Sequence, residues 1–212
     1  MSTTPPASNS ASSGAFSEQT KKLVIKVGMI GDSQTGKTSL MVKYVEGRFD
    51  EDYIQTLGVN FMEKTINLRN LEITFSIWDL GGQQEYLHML PLVCNDAVAL
   101  LFMFDLCRKS TLTAVKEWYR QARKLNKSAV PFLIGTKYDV FAKASMETKE
   151  DITKQYLQAR KFAKAMKAPL IFCSASHAIN VKKIYKIIIS KVFELQCTVE
   201  KIETIGDPII EY

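Results

Sequence analysis

Gly31-Asp32-Ser33-Gln34-Thr35-Gly36-Lys37-Thr38 gathers the residue types needed to hold a polyphosphate. The stretch fits G-x-x-x-x-G-K-[ST]. It stands between the apolar run Leu23–Ile30 and the helix-like Ser39–Val45, the strand–loop–helix context that such a loop requires. Gly31 and Gly36 let the backbone wrap close to phosphates, where side chains would collide. The loop's N–H groups, from Asp32 to Ser39, and the helix N-terminus then offer partial positive charge. Lys37 adds a full charge near the terminal phosphates, and the Thr38 hydroxyl is placed to hold Mg²⁺. The motif specifies a nucleoside triphosphate and leaves the base and the reaction open.

Three further groups narrow the chemistry. Asp79, in Trp78-Asp79-Leu80-Gly81-Gly82-Gln83, closes a strand-like run, where a carboxylate can reach Mg²⁺ directly or through water. Gly82 lets its N–H approach a terminal phosphate, and Gln83 can orient an attacking water. Thr136-Lys137-Tyr138-Asp139 follows another short apolar run. A carboxylate there can accept hydrogen bonds from guanine's N1–H and exocyclic amine; adenine offers no such donor pair, so a buried carboxylate would be left unpaired against ATP. Ser174-Ala175-Ser176 can present a backbone N–H to guanine's carbonyl oxygen. Thr56 can complete a Mg²⁺ shell when a γ-phosphate is present. Phe49 suits either a purine-covering aromatic or a core position. His88 lies in Tyr86–Leu90, which reads as a short switch helix, and is taken as a structural or effector-contact residue, with His177 as a spacer beside the base loop.

Alternating segments must position these groups. Leu23–Ile30 reads as a strand and Lys37–Glu46 as a helix. Phe61–Leu68 and Leu71–Asp79 read as strands joined at Arg69-Asn70, with Ile73, Phe75 and Ile77 alternating with polar neighbours. Ala97–Phe104 is continuously apolar, as in a central strand covered on both faces. Ser110–Asn126 reads as a helix, Pro131–Ile134 as a strand, Thr148–Met166 as a helix and Leu170–Cys173 as the last strand, before a final helix carrying Val181, Ile184, Ile188, Val192 and Leu195. The prediction is an α/β fold: a mostly parallel sheet of about six strands with one antiparallel edge strand, and about five helices. Ligands of such sheets sit beyond the carboxyl ends of the strands, where the phosphate loop begins.

The order of these motifs resembles the Ras superfamily of small GTPases, over residue 22 to about 195. That resemblance implies a P-loop small G domain with the phosphates on Lys37 and its loop, and Mg²⁺ on Thr38, Thr56 and, through water, Asp79. It also implies Gln83 on the attacking water and Lys37 as a catalytic charge, with Lys137, Asp139, Ser174 and Ala175 taking the guanine. Asp79-Leu80-Gly81-Gly82-Gln83, Asn60–Thr65 and Gly206–Tyr212 further resemble the fungal septum-promoting GTPases. This implies a GTP/GDP switch at the spindle pole body, read by an effector protein kinase or its scaffold at the top of a cascade controlling septation and mitotic exit. A two-part GTPase-activating complex, supplying an arginine, would control it. The sequence departs from the family at Thr136, where many relatives have Asn, at Ser176 in place of a usual Lys, and at Ser33 and Gln34 in place of glycines.

Composition sets the remaining bounds. The 212 residues suffice for one well-buried domain, 46% hydrophobic and 24% charged. Residues 1–20, rich in Ser, Thr, Pro and Ala, are expected to form a disordered tail, 21–196 the G domain, and 197–212 an extension without a prenylation motif. No apolar stretch is long enough for a membrane span. The widely spaced Cys94, Cys107, Cys173 and Cys197 suggest neither metal nor disulfide framework, as in a reducing cytoplasm. Part of the net charge of +6 falls on Lys116, Arg120, Arg123, Lys124 and Lys127, at helical spacing. This face suits solvent or an acidic partner, and without a stacking platform nucleic acid is not expected. A monomer without a lipid anchor is expected. Competing readings are a Rab-like trafficking GTPase, a small-molecule kinase, which would need a lid and an Arg-rich acceptor site, and a nucleotide-bound scaffold with little hydrolysis.

Overall fold

The apolar run near residue 100 becomes β4 (Ala99–Asp105), every residue of which is buried. Its side chains alternate between two cores. Leu100, Phe102 and Phe104 join one, and Ala99, Leu101 and Met103 the other. A strand covered on both faces needs no polar alternation, which explains the unbroken run. The computed structural model describes residues 20–52, 54–68, 70–144 and 149–212. The expected tail, apart from Thr20, lies outside the described residues, as do Arg69 of the expected turn and Thr148 of the expected helix start.

Around β4 the sheet runs β2-β3-β1-β4-β5-β6-β7. β1 (Lys21–Ile30), β3 (Leu71–Leu80), β5 (Val130–Thr136) and β6 (Leu170–Phe172) are parallel with it. β2 (Val59–Leu68) and β7 (Ile210–Glu211) close the two edges antiparallel. The fold class is the expected one, but the described sheet has seven strands with two antiparallel edges, not six with one. The added strand comes from the segment expected to be a bare extension: Ile209 and Ile210 are fully buried there.

α1 (Lys37–Glu46) and α6 (Val181–Val192) cover one face, where Tyr44 and Tyr185 stack with centroids 3.4 Å apart. α2 (Leu90–Cys94), α3 (Lys109–Leu125) and α5 (Lys149–Met166) cover the other. α3 buries Thr111, Leu112, Val115, Trp118 and Ala122, spaced by three and four, as one face of an α-helix must be. Its basic face is partly satisfied within the chain: Arg120 pairs with Glu117, Arg123 donates to the carbonyls of Lys127 and Ala129, and Lys116 lies over the Phe162 ring. A tight 3₁₀ turn over Gln84–Met89 leads into α2, where a short helix at Tyr86–Leu90 was expected, and α4 (Tyr138–Ala144) is a short addition to the expected helices. Among the described residues no helix is long and apolar enough to cross a membrane.

Candidate functional site

The carboxyl ends of β1, β3, β5 and β6 meet at one edge of the sheet, and a cleft of about 760 Å³ opens there. Ser33 to Ser39 form its floor, with Phe49 and Thr56 on one wall, Gly82 and Gln83 above, and Thr136, Lys137, Asp139 and Ala175 at the far end. Four of the expected residues lie outside this lining: Gly31 and Asp32 under the loop, and the fully buried Asp79 and Ser174. Phe49 is 37% exposed and lines the cleft, so the core alternative for it is excluded.

The phosphate loop turns at Gly36, whose φ of 80° lies in the left-handed region that glycine enters without strain. α1 begins at the next residue, so its N-terminal amides face the cleft. Lys37 is 5% exposed and donates from Nζ to the carbonyls of Gly31 (2.9 Å) and Asp32 (2.8 Å). Burial pushes its pKa down to about 8, against the opposing pull of Asp79 and Asp32. A buried ammonium with only carbonyls for partners is matched to an anion brought in from solvent.

Three oxygen-bearing side chains converge beside it. The Thr38 hydroxyl donates to Asp79 Oδ2 and lies 2.6 Å from the Thr56 hydroxyl, while Thr56 Oγ1 is 3.5 Å from the same carboxylate oxygen. Burial raises the Asp79 pKa, with Lys37 and the two hydroxyls opposing. Asp79 Oδ1 is buried without a hydrogen-bond partner. An orphaned carboxylate oxygen beside two hydroxyls, in a site that penalises uncompensated negative charge, is a donor set suited to a hard divalent cation. These residues fit Mg²⁺.

The base end is built from two loops. Thr136 Oγ1 lies 2.7 Å from the carbonyl of Thr35 and 3.0 Å from that of Phe104, which fastens the loop after β5 to the phosphate loop. Its hydroxyl thus has a defined place where many relatives carry Asn. Asp139 points toward the loop after β6, with His177 Nδ1 3.5 Å from its carboxylate. Burial works against ionisation of Asp139, but hydrogen bonds from Ser174 and Ser176 outweigh it, and its pKa is lowered. It is therefore an ionised acceptor at neutral pH. His177 was expected to be a spacer. Its ring instead touches both Asp139 and the Ser176 hydroxyl, so this is a correction.

The sequence model of the Ras family matches residues 26–194. The chain belongs to the Ras family. It is a small GTPase, with the GTP-hydrolysing activity of that family. It is 69% identical over 190 residues to septum-promoting GTP-binding protein 1 of Schizosaccharomyces pombe, covering 90% of this chain and 94% of that one. It is 29% identical over 163 residues to Ras-related protein SEC4 of Saccharomyces cerevisiae, covering 76% and 72%. Against GTP-binding protein RHO4 of Eremothecium gossypii the identity is 33% over 138 residues, covering 65% and 53%. Ras-family GTPases generally use Mg²⁺ with the nucleotide, in keeping with the donor set around Asp79.

Other residues of this GTPase support the site and escaped the sequence reading. Asp105, at the end of β4, is 1% exposed and holds Lys137 Nζ at 2.8 Å and Arg108 Nε at 3.1 Å. Arg108 also donates from Nη2 to the Ser33 carbonyl at 2.7 Å. Trp118 Nε1 on α3 donates to Asp32 Oδ1 at 2.7 Å, which gives the Asp32 side chain a bracing place beneath the loop. An acidic residue ending an apolar strand was a readable signal for Asp105. Nothing local marks Arg108 or Trp118, whose partners lie 75 and 86 residues away.

Proposed function

We propose that this chain is the GTP-driven switch that starts septum formation and mitotic exit, at the top of a protein-kinase cascade. The observation that carries this reading is the 69% identity to septum-promoting GTP-binding protein 1 over nearly the whole of both chains, set against 29% for Ras-related protein SEC4. The cleft supports the chemistry. Lys37 and the amides of the phosphate loop hold the phosphates, Asp139 accepts from guanine with the Ser174-Ala175 backbone opposite, and Phe49 covers the purine. Thr38, Thr56 and, through water, Asp79 would hold Mg²⁺, which when bound would neutralise charge on the phosphate oxygens. Gln83 orients the attacking water.

Phosphoryl transfer depends on positioning and charge neutralisation, so the missing component is a cation at the transition state. Arg48 pairs with Glu46 and Asp50, and Arg108 is engaged by Asp105 and the Ser33 carbonyl. Arg108 is thus committed beneath the loop, and Arg48, exposed at the cleft beside Phe49, stands at the base side, which favours an arginine brought by a two-part activating complex. The GTP-bound form engages a protein kinase or its scaffold. The protein acts as a cytoplasmic monomer recruited to the spindle pole body by protein contacts. Half-buried Cys197 carries no lipid in this reading.

The test is complementation. In Schizosaccharomyces pombe cells lacking septum-promoting GTP-binding protein 1, this chain should restore septa, and Thr38→Asn, which disturbs the cation site, should not. Loaded with a GTP analogue, the purified chain should retain a kinase or its scaffold that the GDP form does not. A folded, nucleotide-loaded chain that leaves these cells without septa refutes the septation reading while leaving the GTPase assignment intact.

A further inference from the structure

The segment following α6 does more than add an edge strand. Ile202 and Ile210 exchange backbone hydrogen bonds of 3.0 and 2.9 Å, which closes residues 202–210 into a narrow hairpin. One limb lies along β6, pairing Ile210 with Ile171, and the Phe172 N–H donates to the Ile209 carbonyl at 2.9 Å. The turn of this hairpin reaches both loops of the base end. Tyr138, between Lys137 and Asp139, donates its hydroxyl to the Gly206 carbonyl at 2.6 Å. Asn180 precedes α6 and closes the loop that carries Ser174 and Ala175. It donates from Nδ2 to the Phe172 carbonyl at 2.9 Å and the Pro208 carbonyl at 3.0 Å. Tyr156 on α5 anchors the turn from behind, donating to the Asp207 carbonyl at 2.6 Å, and Arg160 pairs with Glu211 at 2.6 Å.

A single run of backbone, Gly206 to Ile209, therefore receives one hydrogen bond from each base loop and one from the strand between them. Neither Tyr138 nor Asn180 lines the cleft. We infer that the 202–210 hairpin is a brace that sets how slowly and how selectively guanine nucleotide is held, with Tyr138 and Asn180 as the positioning residues through which it acts. This rests on the assignment of Asp139 and Ser174-Ala175 to guanine. For the base to leave, the two loops must part. While both are fastened to one segment, parting them requires breaking a tie to it. Release through a locally opened state scales with the population of that state. A partner that peels the hairpin away would thus accelerate exchange without touching phosphates or cation.

The test compares ribose-labelled GDP with ribose-labelled IDP, which lacks the exocyclic amine that Asp139 would accept from. Release rates are measured in excess Mg²⁺ for the unmodified chain, Tyr138→Phe, Asn180→Gly and a chain ending at residue 203. Tyr138→Phe removes only the hydroxyl, while Asn180→Gly keeps the left-handed backbone (φ 58°) and deletes the amide with its bonds to both the Phe172 and Pro208 carbonyls, so neither disturbs the hairpin as truncation does. Loss of the single Tyr138 hydrogen bond should speed GDP release by about 3–10-fold, and Asn180→Gly by at least as much. The advantage of GDP over IDP should shrink in step, because the loops that read the amine lose their alignment. A part in folding alone would lower the melting temperature and leave that advantage unchanged. Unaltered GDP release in both point variants, or faster release with the GDP-to-IDP ratio preserved, overturns the brace. If the unmodified chain fails to prefer GDP over ADP, the guanine assignment falls and the brace with it.

Discussion

Thr136→Val isolates the tie between the base loop and the phosphate loop. The residue is 4% exposed, and valine matches threonine in shape while removing the hydroxyl. That hydroxyl has one hydrogen to share between the carbonyls of Thr35 and Phe104, at 2.7 and 3.0 Å. Its loss therefore deletes one donor and leaves the nearer carbonyl under-satisfied. A lost buried hydrogen bond with a stranded partner costs about 1–3 kcal/mol, and valine's extra apolar methyl recovers part of it, so about 1–2 kcal/mol is the expected net. For a domain of this size that lowers the melting temperature by about 2–8 °C. The tie exists without nucleotide, so most of this cost is common to the free and bound protein. Only the lost preorganisation enters nucleotide affinity, and GDP release should rise by about tenfold at most. Thr136→Asn should recover much of both, since an amide at this position also carries a donor toward the Thr35 carbonyl. Thermal melting with and without GDP, alongside release of labelled GDP, measures all three. An unchanged melting temperature in Thr136→Val, or no recovery in Thr136→Asn relative to Thr136→Val, would refute the claim that this hydroxyl fastens the two loops.

Asp139→Asn replaces an ionised acceptor with an amide, and competition binding should show weakened GTP and improved xanthosine triphosphate; equal affinity of the unmodified chain for ATP and GTP would remove the basis for this. Hydrolysis by the isolated protein should be slow and should rise by roughly 10³–10⁵ with an arginine-bearing activator, while Gln83→Leu lowers the intrinsic single-turnover rate. Single turnovers near the activated rate without a partner would contradict the account of Arg48 and Arg108. Burial raises the thiol pKa of Cys94 to about 11 and of Cys173 to about 12. Alkylation at neutral pH followed by peptide mass spectrometry should therefore label exposed Cys107 well before either, and early modification of Cys173 would show that the loop after β6 opens far more than its hydrogen bonds indicate.

Much of this architecture was written locally. The two-faced burial of β4 and the three-and-four spacing along α3 follow from residue periodicity, so those elements could be read without knowing what packs against them. β7 could not. Two residues after Pro208 carry no period, and their strand geometry exists only because β6 offers an open edge. The seven-residue α4 was equally opaque, because a helix this short is held by packing and not by propensity. The same division runs through the site. The phosphate loop is a contiguous string whose glycine and lysine spacing states its purpose. Arg108 and Trp118 act on it across the fold, and His177 acquires its contact with Asp139 only because two separate loops meet.

Those distant contacts bear on how a terminal phosphate is sensed. A Cβ at Gly82 would stand 2.2 Å from the carbonyl carbon of Asp32 and 2.2 Å from the nitrogen of Ser33, so this segment is seated directly against the phosphate-loop backbone. The loop beneath it has little freedom to yield, being held by Trp118 at Asp32, Arg108 at Ser33 and Thr136 at Thr35. On the proposed reading, a phosphate entering above the loop would act on Gly82 and not on the loop. The neighbouring Gly81 N–H donates to the Gly58 carbonyl at 2.7 Å, and Thr56 shares Thr38 and Asp79 with the cation site. Movement at Gly82 would reach residues 56–58 through that backbone hydrogen bond, and a cation held by Thr38, Thr56 and Asp79 would act on Thr56 through its side chain. A ligand can shift such an equilibrium only through contacts that differ between its states. Here the candidate contacts converge on two short segments, and a rigid loop between them would let a small chemical difference, one phosphate, count at both.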